Sequence, residues 1–197
     1  TDVKNTHRGR CFILGNGPSL KGFDFSRIQN EITFGTNRIY LSGHIPDYYV
    51  CVNDLVLSQF EEEIGELDTI KFLSRRYPVK NKRGKVIELD TSETQPIFRM
   101  PEDPIWEGHT VTYAALQLAF YMGFEKVILL GVDHDYGEIE RPNEEEVKEG
   151  PDEFHFHPDY FKGVKWHTPD LERNNLAYSL AKTAYQRHGR QIVNCTE

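Results

Sequence analysis

Four short apolar runs in this chain each stop at an asparagine or an aspartate. Arg10–Leu14 (RCFIL) leads to Asn16, residues 32–35 (ITFG) to Asn37, residues 47–52 (DYYVCV) to Asn53, and Lys126–Leu130 (KVILL) to Asp133. Apolar and β-branched runs of this length, closed by turn residues, read as buried strands. Helical patterns lie between them. Leu55, Phe60, Ile64 and Leu67 can share one face of a helix over 55–67. Val111–Met122 (VTYAALQLAFYM) is apolar nearly all round, which predicts a buried helix with Gly123 as its C-cap. Residues 20–28 read as a short irregular helix, 70–73 as a strand and 191–193 as the last strand. Thr168-Pro169-Asp170-Leu171 reads as a helix start, with Thr168 as N-cap and Pro169 in the first helical position, running to about His188. Strands alternating with helices predict an α/β fold: a Rossmann-like, mostly parallel sheet with helices on both faces.

At 197 residues the chain suits a single domain, 1–197. Two stretches break the alternation. Residues 75–105, with the polar turn Lys80–Lys85, are expected to form a hairpin tip or an excursion from the sheet. Residues 135–168 are long, polar and rich in Glu, His and aromatics, and are expected to form a lid. The formal net charge is -8, from 31 acidic against 23 Lys plus Arg, which argues against a nucleic-acid partner. Cys11, Cys51 and Cys195 form no CxxC pair, so a zinc knuckle is not expected. Their odd number favours a reducing, cytoplasmic compartment. No run approaches the roughly 18 apolar residues that span a bilayer. The chain opens on Thr1, which leaves room for a longer parent protein, peripheral attachment to the inner face of a membrane through its other parts, and oligomers.

In an open parallel sheet, ligands bind beyond the C-terminal strand ends. Asn16, Asn37 and Asn53 gather there, and an amide that both donates and accepts suits a ribose, a base edge or a sugar hydroxyl. The loop Gly15-Asn16-Gly17-Pro18-Ser19 lacks the Lys-Ser/Thr of a P-loop and the third glycine of the dinucleotide fingerprint, Leu20 standing there instead. What remains is a tight turn whose backbone N–H groups are expected to favour a phosphate.

The succession Gly15-Asn16-Gly17-Pro18-Ser19-Leu20, Thr36-Asn37-Arg38 and Val52-Asn53 resembles the motifs of bacterial sialyltransferases of the Campylobacter type (glycosyltransferase family 42). It also resembles the wider DUF115 group, with its Maf proteins and archaeal MptE-like pterin diphosphokinases. The resemblance continues through His109-Thr110-Val111, Gly123-Phe124, Leu130-Gly131-Val132-Asp133 and Trp166-His167-Thr168, in collinear order over most of the chain. It implies a GT-A-like variant of the Rossmann fold. It also implies a nucleotide-sugar donor, CMP-activated nonulosonic acid, and a glycan or glycoconjugate acceptor. Asn16, Asn37 and Asn53 would hold the nucleotide and its ribose, Thr110 would lie by the donor, and Tyr136 or Tyr160 would contact the phosphate. His167 would be the general base. Two positions depart from the family pattern: Val111 stands where a serine is expected and Gly108 where an arginine is expected.

A histidine has a reference pKa near 6.5 and can accept a proton at neutral pH, so His167 can serve, with His155 and His157 as competitors. No cofactor is required by a CMP donor. Asp133-His134-Asp135 mimics the Asp-x-Asp element that holds Mg²⁺ or Mn²⁺ on a diphosphate, so Asp133 and Asp135 form the alternative metal site if the donor is a diphosphate. The alternatives in function are a metal-dependent pterin-type diphosphokinase and a catalytically silent nucleotide-binding module of a larger polysaccharide-assembly protein.

Overall fold

The structure, a computed structural model, describes residues 3–137 and 141–196. In chain order the first half contains β1 (Arg10–Leu14), β2 (Thr33–Thr36), β3 (Tyr48–Cys51), α1 (Asp54–Gln59), α2 (Glu61–Glu66), β4 (Ile70–Ser74) and β5 (Lys85–Leu89). The second half contains the short pair β6 (Thr91–Ser92) and β7 (Ile105–Trp106), then α3 (Val111–Met122), β8 (Lys126–Leu130), β9 (Glu145–Val147), β10 (Lys165–His167), α4 (Leu171–Arg187) and β11 (Gln191–Asn194). Seven strands form one all-parallel sheet in the order β11-β8-β1-β2-β3-β4-β5. This is the α/β, Rossmann-like arrangement that the alternation predicts. β1 lies between β2 and β8, so the strand order reverses there.

The two faces of the sheet follow the period-two pattern of the strands. Cys11, Ile13, Tyr48, Val50, Val127 and Leu129 point to one face, where α3 and α4 complete the core. Leu14, Tyr49, Cys51 and Leu130 point to the other, under α1, α2 and the aromatic residues of 154–166. Every residue of α3 after Val111 is buried, as its composition predicts. Its one interior amide is satisfied: Gln117 donates to the Trp106 and Tyr113 carbonyls and accepts from the Arg99 N–H. Gly123 closes the helix at φ 102°, where a side chain would be strained.

Four expectations are corrected. The helix expected over 55–67 is two helices, because Phe60 leaves helical geometry (φ -123°) to bury its ring against the Arg38 guanidinium at 3.8 Å. Part of the expected excursion over 75–105 is the edge strand β5, which pairs in register with β4. Lys71 explains how that edge is held. Its wholly buried ammonium donates to the carbonyls of Ile64, Gly65, Leu67 and Arg83, joining the end of α2 to the turn before β5. The irregular helix over 20–28 is two separate 3₁₀ turns, Pro18–Leu20 and Phe25–Ile28. Asp170, not Thr168, caps α4 by accepting from the Arg173 N–H at 3.0 Å. The Thr168 hydroxyl instead donates to the Arg141 carbonyl and accepts from the Glu144 N–H, fastening the end of β10 to the start of β9. Among the described residues no helix is long and apolar enough to cross a membrane.

Candidate functional site

A cleft of about 510 Å³ opens over the C-terminal ends of β1, β2, β3 and β8. It sits at the reversal of strand order, where parallel sheets place their ligands. Two loops meet there. Gly15 donates to the Leu130 carbonyl at 2.7 Å and Gly17 to the Gly131 carbonyl at 2.8 Å. Ser19 donates to Asp133 through both its N–H (3.0 Å) and its hydroxyl (2.8 Å). The expectation of a phosphate cradle needs correction on this point. The N–H of Gly15 is spent on the last residue of β8, those of Gly17 and Ser19 on the loop after it, and that of Leu20 on the Gly17 carbonyl. Gly15, Asn16 and Gly17 line the cleft, whereas Pro18 and Ser19 stand behind it.

The three strand-end asparagines all line the cleft, each in a different state. Asn16 donates to the Thr36 carbonyl and hydroxyl, both at 3.0 Å, and its Oδ1 is buried with no partner among the described residues. A buried acceptor left unpaired costs about 1–3 kcal/mol, so this oxygen awaits a donor. Asn37 adopts φ 46°, and its Oδ1 meets the Cys51 thiol at 3.5 Å. Asn53 caps α1 through Val56 N–H at 3.1 Å, a structural duty that leaves its amide nitrogen for the cleft. Strained backbone gathers here as well. Of the five described non-glycine residues with positive φ, four line the cleft: Asn37, His109, His134 and Asn143. Such strain persists where surrounding contacts over-determine it, commonly at functional sites.

Thr110 precedes α3 with no capping bond from its side chain, and its hydroxyl lies 3.5 Å from that of Tyr178. Beside it is a network that the sequence did not reveal. Arg173 donates to His109 Nε2 at 2.9 Å; since a guanidinium only donates, Nδ1 carries the ring proton and donates to Asn143 Oδ1 at 3.0 Å. Asn143 in turn donates to the Asp170 carboxylate at 2.9 Å. Both ring nitrogens of His109 are thus occupied. Its participants come from three separated stretches of chain, so no local spacing could signal them.

The 135–168 segment is docked on the strand ends through its middle. Residues 138–140 of it lie outside the described residues. Phe156 N–H donates to the Asn16 carbonyl at 2.9 Å, and Arg38 bonds the Asp159 and Tyr160 carbonyls. Tyr160 is fully buried, its hydroxyl accepting from the Arg38 N–H at 3.1 Å. Tyr136 lines the cleft against the rings of Phe154 and His155. Burial, with Tyr178, Asp133 and Asp152 nearby, raises its hydroxyl above the ordinary range, so it stays a neutral donor. His167 ends β10 at the rim, exposed and opposite Glu145. His157 is not part of the lining, whereas His155 is.

The charge on the walls is one-sided. Glu93, Glu107, Asp133, Asp135 and Asp170 line the cleft, and among its described lining residues there is no lysine or arginine. The nearby Arg76 is engaged by Glu93 and Glu107, each at 2.7 Å. Both Asp133 oxygens accept from Ser19, and Asp135 accepts from Gly137 N–H. No three His, Cys, Asp or Glu side chains among the described residues group as a metal site. Each Asp133 oxygen keeps a second lone pair beside its bond from Ser19.

Desolvation pushes the Glu107 carboxyl up to about 7, against the Thr91 hydrogen bond and the Arg76 charge. In the unfolded chain it titrates near its ordinary 4.5. Between those values the folded protein holds the extra proton, so this group's contribution to stability falls as pH rises from 4.5 through about 7. Glu107→Gln should remove that slope, a difference of about 1–3 kcal/mol across the window. Urea melts of both proteins at pH 5 and pH 8 measure it; parallel shifts would place Glu107 in ordinary solvent.

The chain superimposes over its full length on a solved structure with a TM-score of 0.58 and 18% sequence identity. That protein is the MAf glycosyltransferase from Magnetospirillum magneticum AMB-1. The likeness establishes the shared fold, and the chain spans about a third of that protein, 33% of its length. No protein-family model matches the chain, and no curated protein matches it.

Proposed function

We propose that this chain binds a nucleotide-sugar and transfers the sugar, a CMP-linked nonulosonic or related ulosonic acid, to a hydroxyl of a glycan or glycoconjugate. The observation that carries the reading is the strand-end cleft, with three asparagines and an unpartnered Asn16 oxygen, on a fold shared with a MAf glycosyltransferase. The acceptor oxygen attacks the anomeric carbon, and the bond from that carbon to the phosphate oxygen breaks. Its electron pair leaves on the phosphate, and the acceptor proton passes to a base. His167 at the rim is the proposed base, and Tyr136 the proposed donor to the leaving phosphate.

Asn16→Ala and Asn37→Ala should each weaken nucleotide binding by about 1–3 kcal/mol, the cost of leaving buried polar partners unpaired, with the fold intact. Calorimetry with CMP, CDP, UDP, GDP and ATP, with and without Mg²⁺, tests the site and the donor together. Unchanged affinity in both variants removes the strand-end site.

The acidic wall favours a second reading. A phosphate entering a cleft with five carboxylates and no lysine or arginine among its described lining residues gains from a divalent cation, which needs only one or two carboxylates beside the phosphates. Asp133 and Asp135 are the candidates. ATP binding that requires Mg²⁺, with none to CMP, supports the pterin-type diphosphokinase over the CMP-dependent transferase.

A further inference from the structure

The cleft poses a charge problem: any nucleotide brings at least one phosphate, and no lysine or arginine among the described lining residues meets it. One cationic side chain is built for that position. His155 lines the cleft one residue before Phe156, whose N–H is bonded to the Asn16 carbonyl, so its backbone is fixed beside the Gly15–Gly17 turn. Its Nδ1 lies 2.9 Å from the Asp152 carboxylate, which is 5% exposed and also accepts from Phe154 N–H. The imidazole stacks on Tyr160, centroids 4.0 Å apart and planes within 2°. It meets Tyr136, Phe161 and Trp166 through its edges. Its Nε2 has no partner among the described residues and is not among the buried unsatisfied atoms.

Resting on the nucleotide-binding reading above, we propose that the Asp152–His155 pair supplies the positive charge that binds the donor phosphate, with Nε2–H of the imidazolium donating to a phosphate oxygen. Asp152 is suited to this. Burial alone would raise its carboxyl, but the hydrogen bond and charge of His155, the Phe154 N–H and the charge of Lys148 hold it below the ordinary range. An ionised carboxylate accepting from Nδ1 fixes the ring's orientation and leaves Nε2 as the nitrogen that can meet a phosphate. The other groups facing the ring carry no charge: the Tyr136 and Tyr160 hydroxyls are both raised by burial, and Phe161 and Trp166 are apolar. Lys148 lies over the rings of Phe154 and Trp166 and is the lysine charge acting on Asp152, but it is not part of the cleft lining.

The test compares each nucleoside monophosphate with its own nucleoside: CMP with cytidine, and likewise for UMP, GMP and AMP. Affinities are measured by calorimetry at pH 6 and pH 8 in EDTA. For the pair that binds, the phosphate should strengthen binding at pH 6, and that gain should shrink at pH 8. His155→Gln should remove about ten- to a hundredfold of monophosphate affinity at pH 6, the range of one hydrogen bond to a charged group, and leave nucleoside affinity within about twofold. Asp152→Asn, nearly isosteric, should lose most of the same gain and serves if His155→Gln does not fold. A phosphate gain that ignores both variants and pH overturns the proposal. So does a gain that appears only when Mg²⁺ replaces EDTA, since a metal then supplies the charge. If no nucleotide binds in either condition, the nucleotide reading itself fails and this proposal with it.

Discussion

Replacing His167 with alanine should lower turnover by about 10² to 10⁴ while nucleotide affinity stays nearly constant, the range typical of lost acid–base catalysis. His167 stands at the rim on β10, exposed, with no ring partner among the described residues. Its backbone is nevertheless fixed: β10 pairs with β9 and the next residue, Thr168, bonds to Arg141 and Glu144. The positive end of the last helix would disfavour a charged ring nearby, but the Asp170 carboxylate occupies that end as the cap. The cross-strand neighbour of His167 is Glu145, and the base role is proposed on its place at the rim and its exposure. Steady-state kinetics at saturating donor separate this role from that of His155. His167→Ala should act on kcat and abolish the acid limb of its pH profile, whereas His155→Gln should act first on donor affinity. Near-normal kcat in His167→Ala would remove it as the base.

What the sequence revealed depended on how local the signal was. β1, β3, β8 and α3 were legible because their apolar residues are continuous or alternate cleanly, and the glycines or asparagines that end them follow at once. β5 was not, because an edge strand carrying Lys85 and Glu88 buries only part of its surface and reads as part of the polar turn before it. The break at Phe60 is a tertiary effect: its ring answers to Arg38 and Phe161, neither of them nearby in sequence. The strand-end asparagines were legible as a group, but their states were not. Whether an amide is free, as at Asn16 Oδ1, or used as a cap, as at Asn53, depends on which backbone groups reach it. The 135–168 segment misled by composition. Most of its described charges, those of β9 included, are exposed, whereas the aromatic run around Phe156, Tyr160 and Phe161 packs on the sheet face with Leu14 and Leu130. An aromatic cluster that dense is itself a sign of burial, and it could have separated the docked part from the polar remainder.

Gly15→Ala should be the most destabilising single change at the site, costing about 3 kcal/mol or more. Gly15 sits where β1 becomes the loop, with the loop after β8 lying directly against it. A Cβ there would overlap the Gly131 carbonyl oxygen, with the carbonyl carbon at 2.8 Å and Val132 Cγ2 at 3.0 Å. That oxygen already accepts from Gly17 N–H, so it cannot swing aside without breaking a bond that holds the two loops together. Overpacking against backbone is not relieved by a rotamer change. Gly22→Ala makes the comparison: an added Cβ meets nothing within 4 Å there, but φ is +74°. Its cost is conformational only, about 1–2 kcal/mol. For a domain of this size 3 kcal/mol corresponds to a fall in Tm of about 6–12 °C. The Gly15 variant should also bind nucleotide more weakly in proportion, because the contact it breaks sets the spacing between Asn16 and Asp133 across the strand reversal. Thermal and urea melts of the two variants decide the matter. If Gly15→Ala melts at or above the temperature of Gly22→Ala, the two loops do not meet as described, and the cleft they frame loses its floor.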